Sequence, residues 1–282
     1  MMWSSLTRGS LGRAFCRFGP VRGFCSLSAV HQEGCGDASL FNFDASHAIF
    51  QPTANFITLK TAVPELLTHT SLSFTMIAKI FRIYAKVRVR DDRLIHHLCD
   101  QLNSWTARRN SEKVSMDDVA DCVYGLSKWY TPTELVMQQP MNMLIRLARK
   151  NIADYRILSR VAQNFARCGF EDKSFIERVK TKCIKGLDEG GSFSLLDCNI
   201  LEISNLAFFH CKFRVKDERA WFPLLKAFAL QLEEVVPRTH NESTTSLCHN
   251  AISVLFSFAQ LFPRNEMAEP CFQLVCDFAT KR

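Results

Sequence analysis

A leucine or aromatic residue followed by Ala or Ser returns along this chain at a nearly constant interval, which restricts the fold more than any other feature. The pairs are Tyr84-Ala85, Leu126-Ser127, Phe165-Ala166, Leu206-Ala207 and Phe258-Ala259, with the small residues 42, 39, 41 and 52 positions apart. A period of about 40 residues marks stacked helical hairpins, each burying an apolar stripe against the next. The clearest copy runs from Leu158 to Asp172, and a second amphipathic stretch follows it to Lys185. The fold class expected is therefore all-α, an α-solenoid of about five stacked helical hairpins. Such arrays present long binding surfaces more readily than a catalytic centre.

The pairs fall on helical stripes. Leu158, Val161, Ala162 and Phe165 follow the i, i+3, i+4, i+7 spacing of one helix face. The same spacing joins Ile77, Ile80, Phe81 and Tyr84, then Val119, Cys122, Val123 and Leu126, and in the last unit Ala251, Val254, Leu255 and Phe258. The fourth unit breaks the pattern by placing Asn199 and Glu202 at apolar positions. A slip of one residue, to Ile200, Ile203 and Ala207, repairs most of it.

Each first helix ends in a short turn, after which Asp91, Thr131, Asp172, Asp217 or Asn265 is available to cap the second helix. Pro132 suits the first position after Thr131, and Pro140 is expected to kink or restart that helix. The second helices carry their own stripes: Leu94, Ile95 and Leu98; Trp221, Leu224, Leu225 and Phe228; Cys271, Leu274, Val275 and Phe278. The small residue of each pair is expected to admit the neighbouring helix closely, while the aromatic fills the core between repeats.

The segments Val161 to Asp172 and Asn205 to Asp217 share a cadence of apolar residue, Ala, variable residues, turn, Asp and second helix. That cadence resembles organellar RNA-associated helical repeats, namely the heptatricopeptide and octotricopeptide repeats and the helical region of FAST-kinase-like and RAP proteins. The resemblance spans roughly residues 72–282. It implies RNA binding, RNA processing or ribosome association in a mitochondrion or plastid. Many of those proteins end in a RAP domain of mixed α/β pattern; here the helical pattern runs to Arg282, so a nuclease-like role is not expected.

Residues 1–24 contain Arg8, Arg13, Arg17 and Arg22 with several Ser and bulky apolar residues, and the first acid is Glu33. This is the composition of a mitochondrial transit peptide, without the long apolar run of a secretory signal. Arg22, three residues ahead of Cys25, fits a matrix-protease site. The expected address is the mitochondrial matrix.

The full chain has 35 Lys and Arg against 28 Asp and Glu, a net charge of +7. Removal of residues 1–24 takes four Arg and no acid, leaving +3. The remaining cations cluster. Lys79, Arg82, Lys86, Arg88, Arg90, Arg93, Arg108, Arg109 and Lys113 crowd the first hairpin, and the candidate RNA-binding residues are the first eight of these. Lys86, Arg88 and Arg90 mark its turn. Arg146, Arg149, Lys150, Arg156 and Arg160 form a secondary basic group between the second and third units. Such groups neutralise phosphates without reading sequence; the alternative is a solvated helix surface or contact with an acidic protein.

Twelve Cys would suggest disulfides in a secreted chain. Here they mostly fall at apolar helix positions, where a thiol packs as a small hydrophobe. No CxxC exists; His96, His97 and Cys99 make the best local cluster, and no metal is expected. No GxxxxGK[ST], GxGxxG or GxSxG occurs. Asp117, Asp118 and Asp121 read as caps and solvent-facing acids, and Gly190-Gly191 as a connector. The expectation is a protein without catalytic residues, cofactors or small-molecule substrate. Residues 243–263 lack formal charge yet hold His249, Asn250 and Gln260, which fits a buried helix better than a membrane span.

In organisation, residues 1–36 read as transit peptide and flexible neck, 37–70 as an N-terminal cap or partner-contact segment, and 71–282 as the helical-repeat array. A polar run at 236–245 with Pro237 accounts for the long last interval and offers a docking loop. Met267, Phe272, Val275 and Phe278 are expected to leave the terminal face for a partner. Two readings of function remain. One is an RNA-associated component of the mitochondrial gene-expression machinery, such as a mitoribosome protein contacting rRNA or mRNA together with proteins of a large assembly. The other is a protein-only scaffold or accessory subunit of a respiratory or assembly complex.

Overall fold

The computed structural model describes residues 48–107, 114–130, 134–151, 154–187, 194–235 and 243–262, together with 269, 272, 273 and 276. All lie within Ala45–Arg282. Among the described residues there is no strand. The helices are α1 Phe56–Thr68, α2 Phe74–Val87, α3 Asp92–Ala107, α4 Met116–Trp129, α5 Leu135–Asn151, α6 Tyr155–Cys168, α7 Lys173–Ile184, α8 Ile200–Lys212, α9 Glu218–Val235 and α10 Ser243–Leu261.

They form two layers. Helices α2, α4, α6, α8 and α10 pack side by side in chain order, and α1, α3, α5, α7 and α9 form the second layer in the same order. This is an all-α, solenoid-like arrangement of hairpins. Helix α1 precedes the first hairpin and lies against α3, with Asn55 accepting the Thr58 amide at 3.1 Å as its cap. Tyr84 Oη donates to the Leu59 carbonyl at 2.7 Å and ties α1 to α2. Of the last hairpin's expected second helix, residues 269, 272, 273 and 276 are described and helical; its stripe of Cys271, Leu274, Val275 and Phe278, like Thr131, Pro132 and Asn265, lies outside the described residues.

The stripes read from the sequence are the inward faces. Ile77, Ile80, Phe81 and Tyr84 on α2, Val119, Cys122, Val123 and Leu126 on α4, and Leu158, Val161, Ala162 and Phe165 on α6 are all buried, as are Ala251, Val254, Leu255 and Phe258 on α10. Each large side chain buried this way contributes about 1.5–3 kcal/mol of transfer free energy. An aromatic chain links the later repeats: Phe165 meets Phe175 at 5.5 Å, Phe175 meets Phe209 at 5.8 Å, and Trp221 meets Phe258 at 5.5 Å between ring centroids.

The irregular fourth unit has a local cause. Asn199 is the N-cap of α8, its Oδ1 accepting the Glu202 amide at 3.0 Å while Glu202 Oε2 accepts the Asn199 amide at 2.9 Å. This reciprocal capping box places two polar residues ahead of the stripe, and Ile200, Ile203, Leu206 and Ala207 are buried behind it. Asp91 and Asp172 also cap as expected, accepting the Leu94 and Phe175 amides.

Three expectations need correction. Helix α5 does not restart at Pro140: it is one helix from Leu135 to Asn151 with Pro140 buried in it. The ring removes the amide that would bond the Val136 carbonyl, and packing of the apolar face on either side carries the helix across. Helix α10 starts at Ser243, so residues 243–245 belong to helix. Finally, α4 comes close against α2 at Gly125, while Ser127, the small residue of the pair, is half-exposed. A Cβ at Gly125 would lie 2.4 Å from Phe81 Cβ and 2.9 Å from the Phe81 carbonyl carbon and oxygen.

Candidate nucleic-acid interface

Helices α2, α6 and α8 end in the same way. The amides of Val89, Phe170 and Val215 bond back to the carbonyls of Tyr84, Phe165 and His210, five residues earlier. The residue before each adopts the left-handed conformation: Arg88 at φ 61°, Gly169 at φ 70° and Arg214 at φ 53°. This is the Schellman closure, whose left-handed position favours Gly. Two of the three positions hold arginine, and both arginines are exposed.

The cations expected from sequence separate into two kinds. Arg82 Nη1 lies 3.0 Å from Asp121 Oδ2, and Arg160 Nη2 lies 2.7 Å from the other oxygen of the same carboxylate. Arg160 Nη1 also reaches Asp117 at 2.9 Å. Thr75 Oγ1 donates to Asp118 at 2.7 Å on the same face. Asp121 is thus a buried link across α2, α4 and α6, which corrects its reading as a solvent-facing acid. Arg90 pairs with Asp92 at 2.7 Å and Glu134 at 3.4 Å, Arg93 with Asp91 at 3.6 Å, and Arg156 with Asp154 at 3.8 Å.

Lys79 is exposed on α2; burial raises the nearby Asp118 carboxyl above its ordinary pKa, with the Thr75 hydrogen bond and then Lys79 opposing the shift. Arg146 and Lys150 are exposed and Arg149 is half-buried on α5, in the other layer. Arg108 and Arg109 lie outside the described residues. Lys86 and Arg88 stand exposed at the end of α2 and make no ion pair with a described acid.

Stacking adds two cations that the sequence reading did not select. Lys128 ends α4 and Arg167 ends α6, both exposed, and neither pairs with a described acid. Burial, then Arg167, then Arg88 push the Lys128 ammonium below its ordinary pKa. Lys128 Nζ sits 5.1 Å from the Tyr124 ring centroid. Just after these cations in the chain stand half-buried Tyr130 and Phe170, their ring centroids 5.5 Å apart and edge-on. The signal that could have exposed this row is positional: Lys86, Lys128 and Arg167 each stand two residues before the cap of a first helix.

Elsewhere the polar groups are structural. Gln101 Nε2 donates to the His69 carbonyl at 2.6 Å, and His97 Nε2 lies 2.9 Å from that oxygen. The pair pins the α1–α2 connection onto α3. Burial raises the thiols of Cys99 and Cys198 to about 12 and that of Cys168 to about 11, so they stay protonated and unreactive. Among the described residues no group of three His, Cys, Asp or Glu is placed to hold a metal, and no helix is long and apolar enough to cross a membrane. No family model, curated protein or solved structure matches the chain.

Proposed function

We propose that this protein is a non-enzymatic helical-repeat component of the mitochondrial gene-expression machinery that binds RNA and neighbouring proteins, as a mitoribosome protein would. The observation carrying the reading is the turn after α2, where Lys86 and exposed, left-handed Arg88 stand without a described acidic partner. Cations free of internal partners can release counterions from phosphates, the main source of sequence-independent RNA affinity. The matrix address rests on the Arg-rich, acid-free residues 1–24. Crosslinking in isolated mitochondria followed by RNA sequencing tests it: the protein should recover a defined set of RNAs. Absence of crosslinks, with migration in an RNase-insensitive complex, would reject RNA binding.

The second reading, a protein-only scaffold, is favoured by exposed apolar side chains. Leu201 on α8 is 51% exposed and Ile252 on α10 is 47% exposed, on helices packed against one another. In the RNA-binding reading these residues supply the protein contacts.

A further inference from the structure

We propose that the edge formed by the ends of α2, α4 and α6 is a track for single-stranded RNA, on which Arg88, Lys128 and Arg167 hold successive phosphates and Tyr130 and Phe170 receive bases. The inference rests on the RNA-binding reading and specifies its substrate class and its contacts.

The geometry is repetitive. The three helices are neighbours in one layer and end at the same edge. Packed helices lie about 8–10 Å apart, so the cations follow one another at about that interval. Helix α8 continues the series with exposed Lys212 and Arg214. The field of the row is felt inside it, since Arg167 and Arg88 both act on Lys128.

The neutral explanation is that cations suit helix C-termini, where the peptide dipoles leave partial negative charge. That accounts for Lys86, Lys128, Arg167 and Lys212. It does not account for Arg88 and Arg214, because the left-handed conformation costs a residue with a Cβ about 1–2 kcal/mol. Glycine fills the equivalent place at 169. Strain kept at an exposed, charged position points to use of that charge.

The aromatic rings decide between strands and duplexes. Single-stranded nucleic acids are held by cationic grooves lined with rings on which bases stack. An A-form duplex offers the same phosphates with its bases already stacked inside. Tyr130 and Phe170 follow Lys128 and Arg167 by two and three residues at the ends of α4 and α6, are half-buried, and meet each other at 5.5 Å. The exposed acids at this edge are Glu171, in the third turn, and Asp92, which is held by Arg90 at 2.7 Å, while Asp91 and Asp172 accept helix amides.

The test is fluorescence anisotropy on the full chain, titrated into a labelled oligouridylate of about a dozen nucleotides and a duplex RNA of equal length, over a series of salt concentrations. The edge variant is Arg88→Gly with Lys128→Gln and Arg167→Gln; glycine suits the left-handed backbone, so folding is retained and a melting curve verifies it. The control removes the same charge from the second layer and its margin through Arg178→Gln, Lys185→Gln and Lys226→Gln. The edge variant should lose roughly tenfold or more in single-strand affinity, and its log–log salt slope should shrink by about 2, the share of three phosphate contacts. The control should keep both, and wild type should prefer the single strand. If wild type binds but the edge variant keeps its affinity and slope, this track is wrong and RNA binding lies elsewhere. Equal wild-type affinity for the duplex overturns the single-strand assignment. No binding by wild type overturns both this inference and the RNA-binding reading.

Discussion

Arg88 and Gly169 occupy the same place in two hairpins, each in the left-handed region after its first helix, at φ 61° and 70°. The shared backbone means that glycine is the relaxed solution and arginine the strained one. Replacing Arg by Gly removes about 1–2 kcal/mol of strain and returns about 0.5–1 kcal/mol through the greater freedom of the unfolded chain. Arg88→Gly and Arg214→Gly should therefore each stabilise the protein by about 0.5–1 kcal/mol. The two sites lie in different repeats, so the gains should add. Denaturant midpoints with unchanged slopes would check this, and a loss of stability in either variant would show that the arginine side chain holds its turn.

Asp121 predicts the opposite sign. Its carboxylate is 10% exposed and accepts from arginines one repeat before and one repeat after it. Charge-assisted bonds to a shielded carboxylate are worth more than exposed pairs. Asp121→Ala should cost about 2–3 kcal/mol, and Asp121→Asn less. Adding Arg160→Ala to Asp121→Ala should cost much less than the single changes predict, because the pair is already broken. Full additivity of the two losses would show that the link contributes nothing.

The same residues show what a sequence makes legible. Each apolar stripe repeats within one helix, so a local period of 3.6 exposes Leu158, Val161 and Phe165 without any tertiary information. The slip at Ile200 was legible as well, because apolar Ile200, Ile203 and Ala207 recur one step later; its cause, the capping box of Asn199 and Glu202, is equally local. Ion pairs across the stack are different. Arg82, Asp121 and Arg160 are 39 residues apart in succession, so each looks isolated until the repeats are stacked. The same separation hides Lys128 and Arg167, single cations in their own segments, whereas the dense run from Lys79 to Arg93 draws the eye although Arg82, Arg90 and Arg93 are paired within the fold.

Gly125 gives a third prediction, since helix propensity and packing disagree there. Alanine is the better helix former by about 1 kcal/mol. At this position, however, its Cβ would fall within 2.4 Å of Phe81 Cβ and 2.9 Å of the Phe81 carbonyl. Overpacking of that kind costs about 1–3 kcal/mol, so Gly125→Ala should be destabilising on balance. Phe81→Ala should not rescue it, because the atoms that clash, Cβ and the backbone carbonyl, remain. Rescue by that second change, measured as a recovered melting temperature, would place the conflict in the Phe81 ring.

His210 gives a pH dependence whose direction follows from its surroundings. The ring is fully buried in α8, with Nδ1 2.8 Å from the Leu206 carbonyl oxygen and Trp221 5.7 Å away in an edge-on contact. Burial lowers its pKa from 6.5 to about 4; the Leu206 carbonyl opposes the shift and Lys180 adds to it. The unfolded chain therefore takes up the proton first as pH falls. The full stability contribution is present above pH 6.5, declines as pH falls from there to about 4, and levels off below. The total is about 3 kcal/mol, from roughly 1.4 kcal/mol per pKa unit. Unfolding free energies measured at pH 7.0 and pH 4.5 should differ less in His210→Phe than in the wild type, whatever the variant's stability at neutral pH. An identical pH dependence in the two proteins would mean that the imidazole is protonated in the folded state and is reached by water.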